Sequence, residues 1–162
     1  MGRVARRVAV ALGSNLGHRE AHLHYAILRL RSILDDLRVS SFHDTAPWGV
    51  EPDQPRYLNA AAVGVTPASL RALLGTMLGI EAERGRERPR PLAPRTLDLD
   101  LILCGDEVVN EAGLVVPHPR FRDRAFVLEP LAEIAPDLVD PVTGLTVAQL
   151  LARLGRGLKT GN

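Results

Sequence analysis

One cysteine, Cys104, stands among 162 residues, so no disulfide can close within the chain and a disulfide-stapled secreted scaffold is excluded. Aromatic residues amount to 4%, which leaves no platform on which nucleic-acid bases could stack. Neither sign of charge is in surplus: 20 Lys and Arg against 19 Asp and Glu give a net +1, without the basic excess that marks a nucleic-acid surface. Long apolar runs are also missing. Residues 8–12 form a short one, far below the roughly 20 residues that span a bilayer. The basic start, residues 1–7, is too short and interrupted for a signal peptide. The expectation is a cytoplasmic protein with neither nucleic acid nor membrane as partner. The chain length suits one domain, residues 1–162, with a real core.

What is present centres on residues 94–103, Pro-Arg-Thr-Leu-Asp-Leu-Asp-Leu-Ile-Leu. A strand alternates its faces, so Asp98 and Asp100 point one way while Leu97, Leu99 and Leu101 point the other. Two like charges on one strand face repel unless a positive group lies between them. Cα atoms two apart on a strand are ~6.6 Å apart, close enough for the carboxylates to share or bridge metal ions. Hard oxygen ligands favour Mg²⁺, which binds one or two carboxylates together with substrate phosphates. A solvated strand face is the plain alternative, and from the pair alone the two readings stand about even.

The preceding loop carries Arg84, Arg86, Arg88, Arg90 and Arg95, interleaved with Pro89, Pro91 and Pro94. A charge run is usually a solvated surface. Here it abuts the carboxylate pair, and guanidinium forks match phosphate oxygens, so phosphate binding is favoured. No P-loop accompanies it. Residues 155–160 lack the Gly-Lys-Ser/Thr junction, and residues 155–162 read as a frayed tail. Residues 13–17 are too short for a dinucleotide fingerprint. His18 and His22 share a helix face, but a zinc site lacks its further ligands. His118 sits between Pro117 and Pro119, where a stiff loop could present it, near Arg124, to a phosphate or a base; a structural turn explains it as well. Tyr57 and Asn59 share one strand face. Asn can pair with the edge of a heterocycle and Tyr57, Trp48 or Phe126 could sandwich one, with core packing the alternative for each. Cys104, ending the apolar run, reads as a buried inert thiol.

The pattern of elements is β-α-β-β-α-β with a C-terminal extension. Strands are predicted over residues 4–12, 39–45, 57–65 and 95–103. A first helix starts at His18, with Leu23, Ala26, Ile27, Leu30, Ile33, Leu34 and Leu37 at helical spacing. A second has Thr66 as N-cap, Pro67 at its first position, and a stripe of Leu70, Leu73, Leu74, Met77 and Ile80, ending near Gly85. A turn at Gly105 and Asp106 leads to a short strand over residues 107–110. Val147, Leu150, Leu151 and Leu154 suggest a last short helix. Between the second and third strands lies a long loop, residues 46–55. This order is that of an α+β, ferredoxin-like α/β sandwich with a mostly antiparallel sheet.

Taken together, these residues resemble the 6-hydroxymethyl-7,8-dihydropterin pyrophosphokinases of the folate pathway. The likeness runs through residues 11–17, 53–60, 94–100, 116–118, 126–128 and 133–136. It implies transfer of pyrophosphate from ATP to the hydroxymethyl group of a reduced pterin, releasing AMP. Asp98 and Asp100 would then hold two Mg²⁺ ions, and Arg86 and Arg95 would stabilise the transferring group. Glu81, Arg88, His118 and Arg124 would contact ATP; Thr45, Ala46, Trp48, Tyr57, Asn59 and Phe126 would line the pterin pocket. The loops around Trp48 and over residues 86–94 would correspond to the family's lids. In the latter, Pro91-Leu92-Ala93 stands where the best-known members carry Arg-Trp. A monomer acting on small molecules is expected.

Overall fold

The computed structural model describes residues 4–46, 55–85 and 96–160. Strand β1 (Arg6–Ser14) is central, and helix α1 (Arg19–Arg31) follows it. Next come β2 (Asp35–Val39), β3 (His43–Thr45), β4 (Tyr57–Thr66) and α2 (Leu70–Glu83). Strand β5 (Asp98–Cys104) closes the sheet. All pairings are antiparallel, in the order β2-β4-β1-β5 with β3 beside β2 along the same edge of β4. This is the ferredoxin-like plan that the element order implied. A hairpin of β6 (Val109–Glu111) and β7 (Leu114–Val116) follows, then a 3-10 helix (Phe121–Asp123), α3 (Ala125–Ile134) and α4 (Val147–Thr160).

Alternation along β1 splits the hydrophobic core in two. Val8, Val10 and Leu12 join Leu23, Leu30, Met77 and Ile80 on the face covered by α1 and α2. Ala9, with Ala61 and Val63 of β4, joins Phe121, Leu128, Leu131 and Val147 on the face covered by α3 and α4. One bulge interrupts the ladder. Val10 pairs with Leu101 but Ala9 pairs with Leu103, so Ile102 is the extra residue. Asp98 and Asp100 therefore share a face with Ala11 and Gly13, whereas Leu99 and Leu101 lie with Leu12 and Val10.

Four local expectations need correction. The strand expected over residues 39–45 is two strands, starting earlier at Asp35 and broken at Ser40, whose Oγ accepts the Ala61 N–H. The cap of α2 is Ser69, accepting the Ala72 N–H, not Thr66. Thr66 still belongs to β4, paired with Arg6, so Pro67 falls in the connection. The strand after Gly105 begins two residues later than expected and pairs with β7, because Glu107 is taken into a turn with its N–H on the Cys104 carbonyl. Finally, α4 runs to Thr160 instead of fraying from residue 155. Gly155 and Gly157 cost a helix only about 1 kcal/mol each relative to Ala, and the apolar stripe before them is already docked.

Candidate active site

The register assembles the site. Across β3, β4, β1 and β5, residues His43, Asn59, Gly13 and Asp98 form one row. Ala61, Ala11 and Asp100 flank it on one side, Thr45 and Tyr57 on the other. Side chains in a row of paired residues share a face, so the carboxylates, the amide and the phenol expected at the site meet on the α3 side of the sheet. Asn59 is buried, and its Nδ2 donates to Thr45 Oγ1 across 2.6 Å. Between the amide and Asp98 there is no side chain. A Cβ on Gly13 would stand 3.3 Å from Asn59 Oδ1 and 3.7 Å from the Tyr57 ring. Glycine keeps that cradle open.

Beyond β5, the backbone N–H of His118 donates to the Ile102 carbonyl across 2.9 Å, holding the next loop against the aspartate strand. Arg120 donates its backbone N–H to His118 Nδ1 across 3.1 Å, which assigns the neutral ring's proton to Nε2. Burial foremost, with Arg124 and Arg120 adding to it against the opposing pull of Asp98, pushes the His118 pKa down to about 4. Burial likewise lowers the Arg124 pKa, with Asp100 and Asp98 acting the other way. The Arg124 guanidinium lies 5.5 Å from the Phe126 ring centroid, at the start of α3. Cations, an imidazole and an aromatic ring thus border the two carboxylates.

Glu81 does something the sequence did not suggest. Its carboxylate, 3% exposed on α2, accepts the Leu99 N–H across 2.7 Å. It is fixed to the backbone between Asp98 and Asp100. The two ends of the arginine-rich stretch are also joined, because Thr96 Oγ1 donates to the Arg84 carbonyl across 2.7 Å. Arg84 in turn donates to His22 Nδ1 across 3.0 Å and lies 4.7 Å over the Tyr25 ring. His22 is engaged with an arginine, which accounts for it without zinc.

On the far side of the row, Glu133 of α3 accepts from Ser41 N at 2.6 Å and Ser41 Oγ at 2.7 Å, and pairs with His43 Nε2 at 3.0 Å. This ties β3 to α3. Only side-chain register, not local sequence, could have exposed that contact, since 90 residues separate His43 and Glu133. Where Thr45 and Tyr57 end their strands, a cavity of about 390 Å³ is lined by Asn15, Leu16, Gly17, Arg19, Asp44, Pro55 and Arg56. Ala46 is exposed at the end of β3. Trp48, Arg86, Arg88 and Arg95 lie outside the described residues.

The donor set suits a hard divalent cation. Two carboxylates sit half-buried on one strand face, opposite the small Gly13 and Ala11, leaving the remaining coordination to water and phosphate oxygens, as Mg²⁺ prefers.

Similar proteins bear on this arrangement. Residues 9–136 match the family described as 7,8-dihydro-6-hydroxymethylpterin-pyrophosphokinase. A 2-amino-4-hydroxy-6-hydroxymethyldihydropteridine pyrophosphokinase of Methylorubrum extorquens is 43% identical over 151 residues, 91% of this chain and 93% of that one. Its counterpart in Synechocystis is 43% identical over 147 residues, 90% of this chain and 74% of the relative. Among solved structures, the HPPK-DHPS protein of Plasmodium falciparum superposes with a TM-score of 0.78 over 98% of this chain at 12% identity, a likeness of fold. This chain spans 47% of that longer one. The family match contains the row, the cradle and both aspartates, and on that ground the chain belongs to the 7,8-dihydro-6-hydroxymethylpterin-pyrophosphokinase family.

Proposed function

We propose that this chain transfers a pyrophosphoryl group from ATP to the hydroxymethyl oxygen of 6-hydroxymethyl-7,8-dihydropterin, giving AMP and the pterin diphosphate. The hydroxyl oxygen attacks the β-phosphorus, the bond from that phosphorus to the α,β-bridging oxygen breaks, and AMP leaves with the electron pair. The hydroxyl proton passes to solvent. The observation that carries the reading is the single row joining Asn59 to Asp98 across Gly13: a heterocycle edge beside a pair of phosphate-directed carboxylates.

Asn59, fixed by Thr45, presents an amide to the pterin edge, and Tyr57, Phe126, Ala46 and Trp48 enclose the ring. Asp98 and Asp100 would hold Mg²⁺, two ions in this reading, which when bound would supply neutralising charge for the phosphate oxygens. Arg124, His118 and Arg88 bind ATP; Arg86 and Arg95 meet the charge on the transferring group, where guanidinium forks fit phosphate. Neutral His118 contributes a hydrogen-bond donor at Nε2, not a charge. No side chain need be a strong base if charge stabilisation carries the barrier. Glu81 acts here through the Leu99 backbone. The protein is read as one catalytic domain, residues 1–162, working as a cytoplasmic monomer.

The test is AMP release measured with and without the pterin. Pterin-dependent AMP with equimolar pterin diphosphate is expected, and Asp98→Ala or Asp100→Ala should abolish it with the fold intact. AMP formed without pterin diphosphate would make the chain a phosphohydrolase instead. Near-normal turnover in both variants would remove the aspartates from the mechanism.

A further inference from the structure

The loop that borders the carboxylates carries three arginines in five residues: Arg120, Arg122 and Arg124. Three cations so close repel one another, and an unrestrained loop could offer any of them to a phosphate. The structure separates them. Arg122 turns away from the site and forks onto Asp140, with Nε at 2.5 Å from Oδ2 and the second guanidinium nitrogen at 2.9 Å from Oδ1. Its guanidinium also lies 4.9 Å over the ring of Phe121, which is fully buried.

Asp140 is itself completely buried, 0% exposed. Thr143 Oγ1 donates to it across 2.7 Å and the Val142 N–H across 3.0 Å. Burial alone would favour its neutral form, but the bonds from Arg122, Thr143 and Val142 outweigh that and hold it ionised. The turn that carries Asp140 is closed by its own backbone: the Asp140 N–H reaches the Leu145 carbonyl, and Val139 pairs with Thr146. It is a rigid anchor.

That anchor lies beyond the family match, which ends at residue 136. It comes from the segment joining α3 to α4, yet it grips the middle residue of the 3-10 helix. From Arg122 the restraint runs both ways through short hydrogen bonds. The Asp123 N–H reaches the Arg120 carbonyl and the Arg124 N–H reaches the Phe121 carbonyl, while the Arg120 N–H holds His118.

We propose that Asp140 is a positioning residue for ATP binding: by withdrawing Arg122 into the C-terminal segment it sets the loop so that Arg124 and His118 face the phosphate site beside Asp98 and Asp100. The proposal rests on the assignment of Arg124 and His118 to ATP given above. Asp140 touches no substrate. Its effect falls on ATP more than on the pterin, because Asn59, Thr45 and Tyr57 stand on β3 and β4, which the anchor does not hold, and Phe126 is the pterin residue that follows the loop, within α3.

Steady-state kinetics of the full-length Asp140→Asn protein, shown folded by circular dichroism, test it, with Arg124→Ala as reference. The neutral amide keeps the size but gives up the charge-assisted fork. The KM for ATP should rise about tenfold, the loss of one good interaction, with the KM for the pterin changed less than about twofold. A purely structural role would lower the active fraction, and so kcat, while leaving both KM values alone. Should Asp140→Asn not accumulate as folded protein, Arg122→Lys keeps the ion pair without its planar fork and should show the same selective rise. An unchanged KM for ATP in the folded variant, with Arg124→Ala raising it, overturns the role of Asp140. If Arg124→Ala leaves that KM unchanged, the assignment of Arg124 to ATP fails instead.

Discussion

Leu99 donates its backbone N–H to Glu81 Oε2 across 2.7 Å, at the one strand position between Asp98 and Asp100. Strand β5 is at the end of the sheet order, so among the described residues the Leu99 amide has no further strand to bond. A buried carboxylate supplies the acceptor and fixes the spacing of the two aspartates. Removing it leaves a buried amide unsatisfied, which costs about 1–3 kcal/mol. Glu81→Leu should therefore lower stability in urea and raise the Mg²⁺ concentration needed for half-maximal activity, whereas Glu81→Gln, which keeps an acceptor oxygen, should lie between it and wild type. A Mg²⁺ titration identical in the Leu variant and wild type would confine Glu81 to stability.

Gly13 invites the opposite change, adding an atom. A Cβ there meets Asn59 Oδ1 at 3.3 Å, closer than a comfortable contact, and overpacking of a tight site typically costs about 1–3 kcal/mol. Gly13→Ala should weaken pterin binding severalfold, because the methyl group enters the cradle beside the amide. Calorimetry with the pterin alone reads this directly. An unchanged pterin affinity would mean that the heterocycle does not lie over Gly13.

The Glu133 carboxylate makes its own prediction about acid. The Ser41 N–H, His43 and the Ser41 hydroxyl hold its pKa down to about 2, from an ordinary value of 4.5. Below 4.5 the unfolded chain takes up a proton that the folded protein refuses. The stabilisation is thus complete above 4.5 and is lost as pH falls toward about 2. Because Glu133 is more than one-third exposed, solvent screening keeps the effect small. Urea midpoints of Glu133→Gln should fall less steeply with acid across that window than those of wild type. Parallel curves would show that the contact with β3 adds nothing.

Much of this fold could be read from residue order because its signals are local. The alternating Leu and Asp of residues 97–101 place the carboxylates opposite the core, and the stripes of α1 and α2 repeat at helical spacing. What escaped was non-local or masked by a single residue. Pro130 lies inside α3, where a missing N–H conceals a helix in an apolar run. Ser40 breaks one expected strand into two by bonding sideways to Ala61. In the site, Tyr57 and Asn59 were recognisable by period alone. Gly13, one residue past the first strand predicted over residues 4–12, belongs to β1, and its meaning depends on neighbours in β4 and β5. Glu133, Arg122 and Asp140 act through partners brought close only by tertiary packing, so nothing adjacent in sequence announces them.

The extra residue at Ile102 determines which side of the protein the chemistry is on. Cys104 pairs with Val8 and faces the leucine-rich core under α1 and α2. Count back from it by twos without the bulge, and Asp100 and Asp98 would face that same interior, beside Leu12 and Leu30. Straightening the ladder with Ile102 still in it would therefore leave the chain a choice between two failures: ionisable groups entombed in oil, or a strand torn from its far pairings to keep them in water. One apolar residue, with no part in binding anything, works as the gear that changes the strand's phase midway, letting one ribbon serve a dry interior at one end and a wet, charged surface at the other.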